Sequence, residues 1–260
     1  MSFPNYPGKY RLTSLLNPED IVKYRQRLGR LPRIDFPEGL LFCLERGLPK
    51  RMRRRAPVRH AGRMFGELYL TKKAPGKVLI ISDFGGGAPI VVELAEEFIA
   101  LGIRRIGLIT WGGALQPDLK PGDIVVCDRA IRDEGTSHHY APPTRYADAS
   151  GELAARLAAC IQKQGAAPVV GATWTTDAPY RETLEEVQEY QAEGVKCVEM
   201  ESAGLFAVCQ ARSVQAVSAV IIMDSLAKFK WEVPESLADI QKGLANAYLA
   251  AIETLSAKNK

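Results

Sequence analysis

Apolar residues along this chain follow two periodicities that take turns. Val78-Leu79-Ile80-Ile81 is a short unbroken apolar run, the pattern of a strand buried on both faces, and it ends in Asp83-Phe84-Gly85-Gly86-Gly87. Directly after it, Val91, Leu94, Ala95, Phe98 and Ile99 recur at the three- and four-residue spacing of one helix face. Pro89 suits the first turn of that helix, where its missing N–H is not needed. Further strand-like runs cover Ile103 to Ile109, Ile124 to Cys127, Val169 to Thr173 and Val217 to Met223. Helical patterns lie between and after them. One carries Leu153, Leu157 and Ile161, the next runs from Ala203 to Ala211, and the last holds Leu237, Ile240, Leu244, Tyr248, Ala251, Ile252 and Leu255. Strands alternating with helices predict an α/β domain with a central sheet and helices on both sides. Residues 1 to 60 carry less pattern, and Leu40-Leu41-Phe42-Cys43-Leu44 is the clear strand candidate there. No Pro/Gly/Ser-rich linker, low-complexity tract or internal repeat divides the chain, so residues 1–260 are read as a single domain.

Composition narrows the class. The 260 residues are 47% hydrophobic, ample for one sizeable core. Cys43, Cys127, Cys160, Cys197 and Cys209 are scattered, odd in number and set among apolar neighbours. None forms a Cys-x-x-Cys, so a metal site is not expected and a reducing compartment is. Met1 to Tyr10 has no apolar stretch suited to a signal peptide, and no run approaches the ~18 apolar residues of a membrane span. The expectation is a soluble, cytoplasmic protein with no membrane partner. The net charge of +4 hides an asymmetry: residues 1 to 63 hold 15 Lys/Arg against 5 Asp/Glu, and the remainder carries −6. The densest run, Lys50-Arg51-Met52-Arg53-Arg54-Arg55, lacks interleaved aromatics and any readable nucleic-acid motif. A solvated or subunit-contact surface is the expectation for it, and no nucleic-acid partner is expected.

The candidate chemistry sits in two acidic segments that close apolar runs, Val198-Glu199-Met200-Glu201-Ser202 and Ile221-Ile222-Met223-Asp224-Ser225. Open α/β sheets place their ligands at such strand ends. A ribose 2′,3′-diol presents two O–H donors, and one ionised carboxylate can accept both. A thioether such as Met200 is a soft apolar surface for a sugar face. A carboxyl such as Asp224 can pass a proton to a departing base if its pKa is raised. The other reading is that Glu199 and Glu201 cap the helix beginning near Ser202. Gly85-Gly86-Gly87 could let backbone N–H groups approach a phosphate, or simply turn the chain. His138 and His139 lie in a polar loop with no acidic or Cys partner at metal-ligand spacing, so a loop or contact role is expected.

From about Gly76 to Lys228 the sequence resembles the nucleoside phosphorylase family that includes uridine phosphorylases and hexameric purine nucleoside phosphorylases. The likeness rests on Gly113-Ala114-Leu115-Gln116, Gly122-Asp123-Ile124-Val125-Val126, Arg132-Asp133-Glu134-Gly135-Thr136-Ser137-His138-His139-Tyr140-Ala141-Pro142 and the Glu-Met-Glu segment. It implies a mixed, strongly curved sheet. It also implies cleavage of an N-glycosidic bond by phosphate, as in purine salvage, giving free base and ribose 1-phosphate with no cofactor. Glu201 would hold the ribose diol with Glu199 beside it, Met200 would line the sugar, and Asp224 would protonate N7 of a purine. Trp174, Pro179 and Tyr180 would form the base pocket. Thr183 and Glu185 stand near the places of the Gln and Arg that read uracil, which disfavours uridine.

The phosphate site departs from the family. Leu108 and Trp111 hold the positions of its strand arginine and Ser/Thr, and the N-terminal Gly-Asp-Pro-x-Arg loop is absent. Gly86, Gly87 and Trp111 are left on this side of the site, with Arg59, or failing that Arg63, matching an arginine contributed by a neighbouring subunit. Shared sites of this kind imply a homo-oligomer: a dimer, trimer of dimers or hexamer. No histidine precedes His60 to reach a neighbour's 5′-hydroxyl. Two alternatives stay open: water as the nucleophile, and a non-catalytic nucleoside-binding relative.

Overall fold

The computed structural model describes residues 6–74 and 76–257. The strands are β1 (Gly39–Cys43), β2 (Val58–Met64), β3 (Gly66–Thr71), β4 (Val78–Ser82), β5 (Arg105–Ala114), β6 (Ile124–Asp133), β7 (Tyr146–Asp148), β8 (Val169–Thr176), β9 (Cys197–Glu199) and β10 (Gln215–Ser225). The helices are α1 (Pro18–Arg27), α2 (Leu48–Arg51), α3 (Ala88–Ala100), α4 (Gly151–Lys163), α5 (Leu184–Ala192), α6 (Ser202–Ala211) and α7 (Ala238–Ser256). Every strand belongs to one mixed sheet.

The curvature implied by the resemblance is present, and it goes as far as closure. Along one edge β5 pairs in parallel with β10, from Arg105 opposite Gln215 to Ala114 opposite Ser225. Its other edge is divided: Arg105–Ile109 pair with β1, and Gly113 and Ala114 pair antiparallel with β9. From β9 the pairing runs to β8, from β8 to β6, and from β6 back to β10. Five strands thus close into a ring, and β1, β4, β3 and β2 extend from β5 as an open wing. Register shifts between Cys127 and Arg129 in β6, and between Ile222 and Asp224 in β10, bend the strands where the ring closes. Gly112 is demanded by the same closure, because a Cβ there would lie 2.5 Å from the Val198 carbonyl oxygen of β9.

Helices cover both faces. In β1, Leu40 and Phe42 join one core while Leu41 and Cys43 join the other, the period-two signature of a strand buried on both sides. The first core takes Val91, Leu94 and Phe98 of α3 with Leu205 and Phe206 of α6. The second takes Leu153, Leu157 and Ile161 of α4 with Leu244, Tyr248 and Leu255 of α7. Leu237, expected inside the last helix, stands just before its first turn and is exposed. The pattern in residues 1 to 60 omitted α1, α2 and the start of the β2–β3 hairpin, which turns on Phe65 at φ 60°. No helix among the described residues is long and apolar enough to cross a membrane. No group of three His, Cys, Asp or Glu among them could hold a metal.

Candidate functional site

The C-terminal ends of β5, β9 and β10 meet at one side of the ring, and a cleft of 740 Å³ opens there. Its floor is Gly112 and Gly113 of β5 with Val198, Glu199 and Met200. Met223 and Asp224 of β10 form one wall. Pro179, Tyr180, Glu182 and Thr183, in the turn leading to α5, form the other. Trp111, Phe229 and Trp231 complete the mouth. The bulge before Asp224 sets that residue opposite Gly113, and a Cβ on Gly113 would come 2.8 Å from Asp224 Oδ1. Glycine here makes room for the carboxylate. The other oxygen, Oδ2, accepts the Trp231 indole N–H at 2.8 Å.

Next to Met200 along the chain, Glu201 is only 3% exposed. Its Oε1 accepts the Gly87 backbone N–H at 2.7 Å and its Oε2 accepts the Thr110 hydroxyl at 2.8 Å. Gly87 can offer that N–H because it takes φ 91°, ψ 152° at the start of α3, a conformation open only to glycine without strain. Burial raises the pKa of Glu201, while the Gly87 N–H, the Thr110 hydroxyl and the Met200 backbone N–H oppose it. An ionised carboxylate has about four acceptor sites, so two remain beyond the hydrogen bonds from Gly87 and Thr110. The Glu201 carboxylate is anchored on two sides, by Gly87 and Thr110.

The ribose role expected of Glu199 does not fit its surroundings. Its Oε2 accepts the N–H groups of Glu201 and Ser202 at 2.9 and 2.7 Å and the Ser202 hydroxyl at 2.8 Å, while Oε1 accepts the Thr175 hydroxyl. Glu199 therefore caps the start of α6, and its carboxylate has no acceptor capacity to spare. Burial and the neighbouring Glu201 carboxylate push it up to about 7, against the pull of these hydrogen bonds. The capping alternative thus describes Glu199, and the ligand reading is left to Glu201.

Two other expectations are corrected, those for Trp174 and for the Gly87 N–H. Trp174 is 1% exposed, with its indole N–H on Asp133 Oδ2 at 2.9 Å and its ring edge-on to Tyr190 at 4.9 Å. It belongs to the core beneath the pocket, because a buried indole needs a partner for its N–H. The Gly87 N–H is already given to Glu201, so it is not free for phosphate, whereas Gly86 lies against Glu201 with no such commitment shown. Arg59 stands exposed on β2, in the wing and away from this chain's own cleft. Its neighbour Arg63 is paired with Glu67 at 3.1 Å. Leu108 is buried in the first core, and Trp111 is half-buried at the cleft rather than holding a charge. Pro179, Tyr180, Met200 and Asp224 do line the cleft together.

The segment after β1 is closer to the family's phosphate loop than the sequence reading allowed. Gly47-Leu48-Pro49-Lys50-Arg51 keeps the Gly, Pro and Arg at the right spacing, with buried Leu48 in place of the acid. Its arginine is engaged: Arg51 lies on Glu45 Oε1 at 2.6 Å and on the Arg46 carbonyl at 3.1 Å. Thr110 and Glu182 carry no signal in the sequence. A lone hydroxyl in an apolar strand, and one carboxylate in an acidic segment, carry no pattern of their own.

The fold recurs among known proteins. Residues 49–255 match the model of a family described as the phosphorylase superfamily. Uridine phosphorylase of Escherichia coli is 33% identical over 163 residues, covering 56% of this chain and 64% of that one. A DeoD-type purine nucleoside phosphorylase of Caldanaerobacter subterraneus is 31% identical over 158 residues, covering 58% and 66%. These matches span less than two thirds of the relatives' own lengths. The crystal structure of uridine phosphorylase from Vibrio fischeri superposes with a TM-score of 0.72 at 24% identity, covering 84% of this chain and 91% of that one, and so shares the fold. The chain belongs to the phosphorylase superfamily.

Proposed function

We propose that this protein cleaves the N-glycosidic bond of a purine nucleoside with phosphate, releasing the free base and ribose 1-phosphate. The observation that carries the reading is the anchoring of Glu201 by Gly87 and Thr110, directly after Met200 of the floor of a cleft that Asp224 also lines. The free acceptor sites of Glu201 suit the ribose diol, and Met200 suits the sugar face. Pro179 and Tyr180 enclose the base, and Tyr180, fully exposed without a ligand, is free to stack on it. As the bond breaks, positive charge builds on the ribose, an oxocarbenium-like state. A buried carboxylate beside the sugar stabilises it, and a carboxylic acid at the base end neutralises the departing purine. Uridine is the poorer substrate, because Thr183 is spent on capping α5 and offers no amide or guanidinium to a pyrimidine edge.

Phosphate is the co-substrate, and no metal or organic cofactor takes part. Its charge is met from outside the cleft, by Arg59 of a neighbouring copy in a homo-oligomer, because Arg51 is held by Glu45 and β5 supplies Leu108. The protein works in the cytoplasm, in purine salvage. The test is base release from a panel of purine and pyrimidine nucleosides with and without phosphate. Phosphate-dependent release of a purine with formation of ribose 1-phosphate supports the reading. Full-rate release without phosphate, giving free ribose, replaces it with hydrolysis. Nucleoside binding with no release at all replaces it with a non-catalytic binding role.

A further inference from the structure

The cleft holds two carboxylates near the base end, and their partners differ. Asp224 accepts the Trp231 indole N–H at Oδ2. Glu182, half-buried in the opposite wall, makes no hydrogen bond among the described residues. The donors beside it are spent: the Thr183 N–H and O–H both go to Glu186 Oε2, at 3.1 and 2.7 Å. The charges that act on it are of its own sign, Asp224 on β10 and Glu186 on α5. The cations are Arg181, exposed beside it in the chain, and Lys230 at the cleft mouth, whose ammonium lies 2.9 Å from Glu232. An unpartnered carboxyl facing like charges in a partly dry wall is the group that keeps a proton.

We propose that Glu182, and not Asp224, carries the proton that the base takes as it leaves, with Asp224, held by Trp231, orienting the base. This rests on the reading that the cleft cleaves a purine nucleoside. In the step, the bond from C1′ to the purine nitrogen breaks and its electron pair stays with the purine. The Glu182 O–H proton passes to a ring nitrogen, and a phosphate oxygen forms the new bond to C1′. Glu182 is left as a carboxylate and regains its proton from water at the open mouth. Burial, then Asp224, then Glu186 push the Glu182 carboxyl up to about 7, which suits a general acid working near neutral pH.

The test uses the full chain as wild type, Glu182→Gln and Asp224→Asn. Rates are read from pH 5.5 to 8.5 on adenosine, inosine and guanosine, and on 4-nitrophenyl riboside, whose leaving group needs no proton. Glu182→Gln should lower kcat on the purine nucleosides by about 10²-fold, abolish the fall in rate above pH 7, and leave the nitrophenyl substrate within a few-fold. Asp224→Asn should keep that fall but shift it to lower pH, because a negative neighbour of Glu182 is gone. An unchanged pH profile in Glu182→Gln, or loss of the limb in Asp224→Asn alone, overturns the proposal. Binding of free adenine and hypoxanthine, followed by fluorescence of the cleft tryptophans, gives a readout independent of turnover. Affinity should weaken as pH rises through 7 in wild type and stay flat in Glu182→Gln. A wild type that binds base in this pH-dependent way but cleaves no nucleoside would overturn the functional reading and leave the protonation by Glu182 standing. A flat wild-type profile, or no binding of either base, would overturn the assignment of Glu182.

Discussion

Replacing Glu201 by Gln changes one oxygen for an NH₂ in a site whose hydrogen bonds are fully specified. The Gly87 N–H can only donate, so the amide oxygen of the new side chain must face it. The Thr110 hydroxyl can rotate and accept, so it receives one N–H of the amide in place of donating to a carboxylate. The protein's own contacts are thereby kept, and the fold should survive. The ligand side is not kept. The carboxylate has two acceptor sites left for the two ribose hydroxyls; the amide has one acceptor site and presents an N–H where the second acceptor stood. One charge-assisted hydrogen bond is lost, about 1.5–3 kcal/mol. At 1.4 kcal/mol per tenfold, this is a rise in KM for ribosides of about tenfold to a hundredfold. A 2′-deoxyriboside lacks one of the two donors, so its penalty should be smaller. The assay is steady-state kinetics on matched ribo- and deoxyribonucleosides, with circular dichroism to confirm the fold. Equal losses on the two sugars would remove Glu201 from the diol and refute the reasoning.

Gly113→Ala places a methyl 2.8 Å from Asp224 Oδ1, so purine cleavage should fall at least about tenfold with little change in Tm; Gly112→Ala meets the rigid Val198 carbonyl at 2.5 Å, and its Tm should fall instead. Arg59→Ala should raise the KM for phosphate about tenfold or more and leave nucleoside binding intact, with higher ionic strength acting in the same direction; an unchanged phosphate KM would show that Arg59 serves no neighbouring site. Glu199, raised to about 7 in the folded protein, binds more protons folded than unfolded between its ordinary value near 4.5 and 7. Its contribution to stability is therefore present below pH 4.5 and lost as pH rises to 7, so the decline in Tm across this window should be shallower in Glu199→Gln. An identical slope in the two proteins would assign the decline to other groups.

The parts of the fold readable in the sequence are those where packing repeats a simple rule. Val78–Ile81, Ile124–Cys127 and Val217–Ile222 are buried on both faces, and α3, α4 and α7 bury their apolar positions, so residue type alone reports them. The closed ring is invisible by the same logic, since it depends on which edge of β5 meets β9, and β9 has just three residues. The β2–β3 hairpin escapes because Arg59, His60 and Arg63 break the apolar alternation and Phe65, not an Asn-Gly pair, makes the turn. Met200 and Asp224, which line the cleft, are legible because they sit at strand ends in a recognisable order. Glu199 misleads for the same reason: a carboxylate one residue from Met200 looks like a ligand, and its five donors come from backbone and hydroxyl groups that any sequence has. Trp174 was misplaced because an aromatic beside a pocket segment reads alike whether it faces the pocket or the core.

The ring of strands also sets an order of events. β5 ends at residue 114 and its partner β10 begins at residue 215, so the two strands that frame the cleft are joined by about a hundred residues of intervening chain. Pairings this distant are reached late, because the entropy of closing the loop must be overcome before the contacts form. On a ribosome the β1–β4–β5 wing can pair as it emerges, while Gly113 waits without Asp224 until β10 is clear of the exit tunnel. Chains stopped before residue 225 would present an unclosed apolar edge on β5, a surface prone to wrong pairing and a substrate for chaperones.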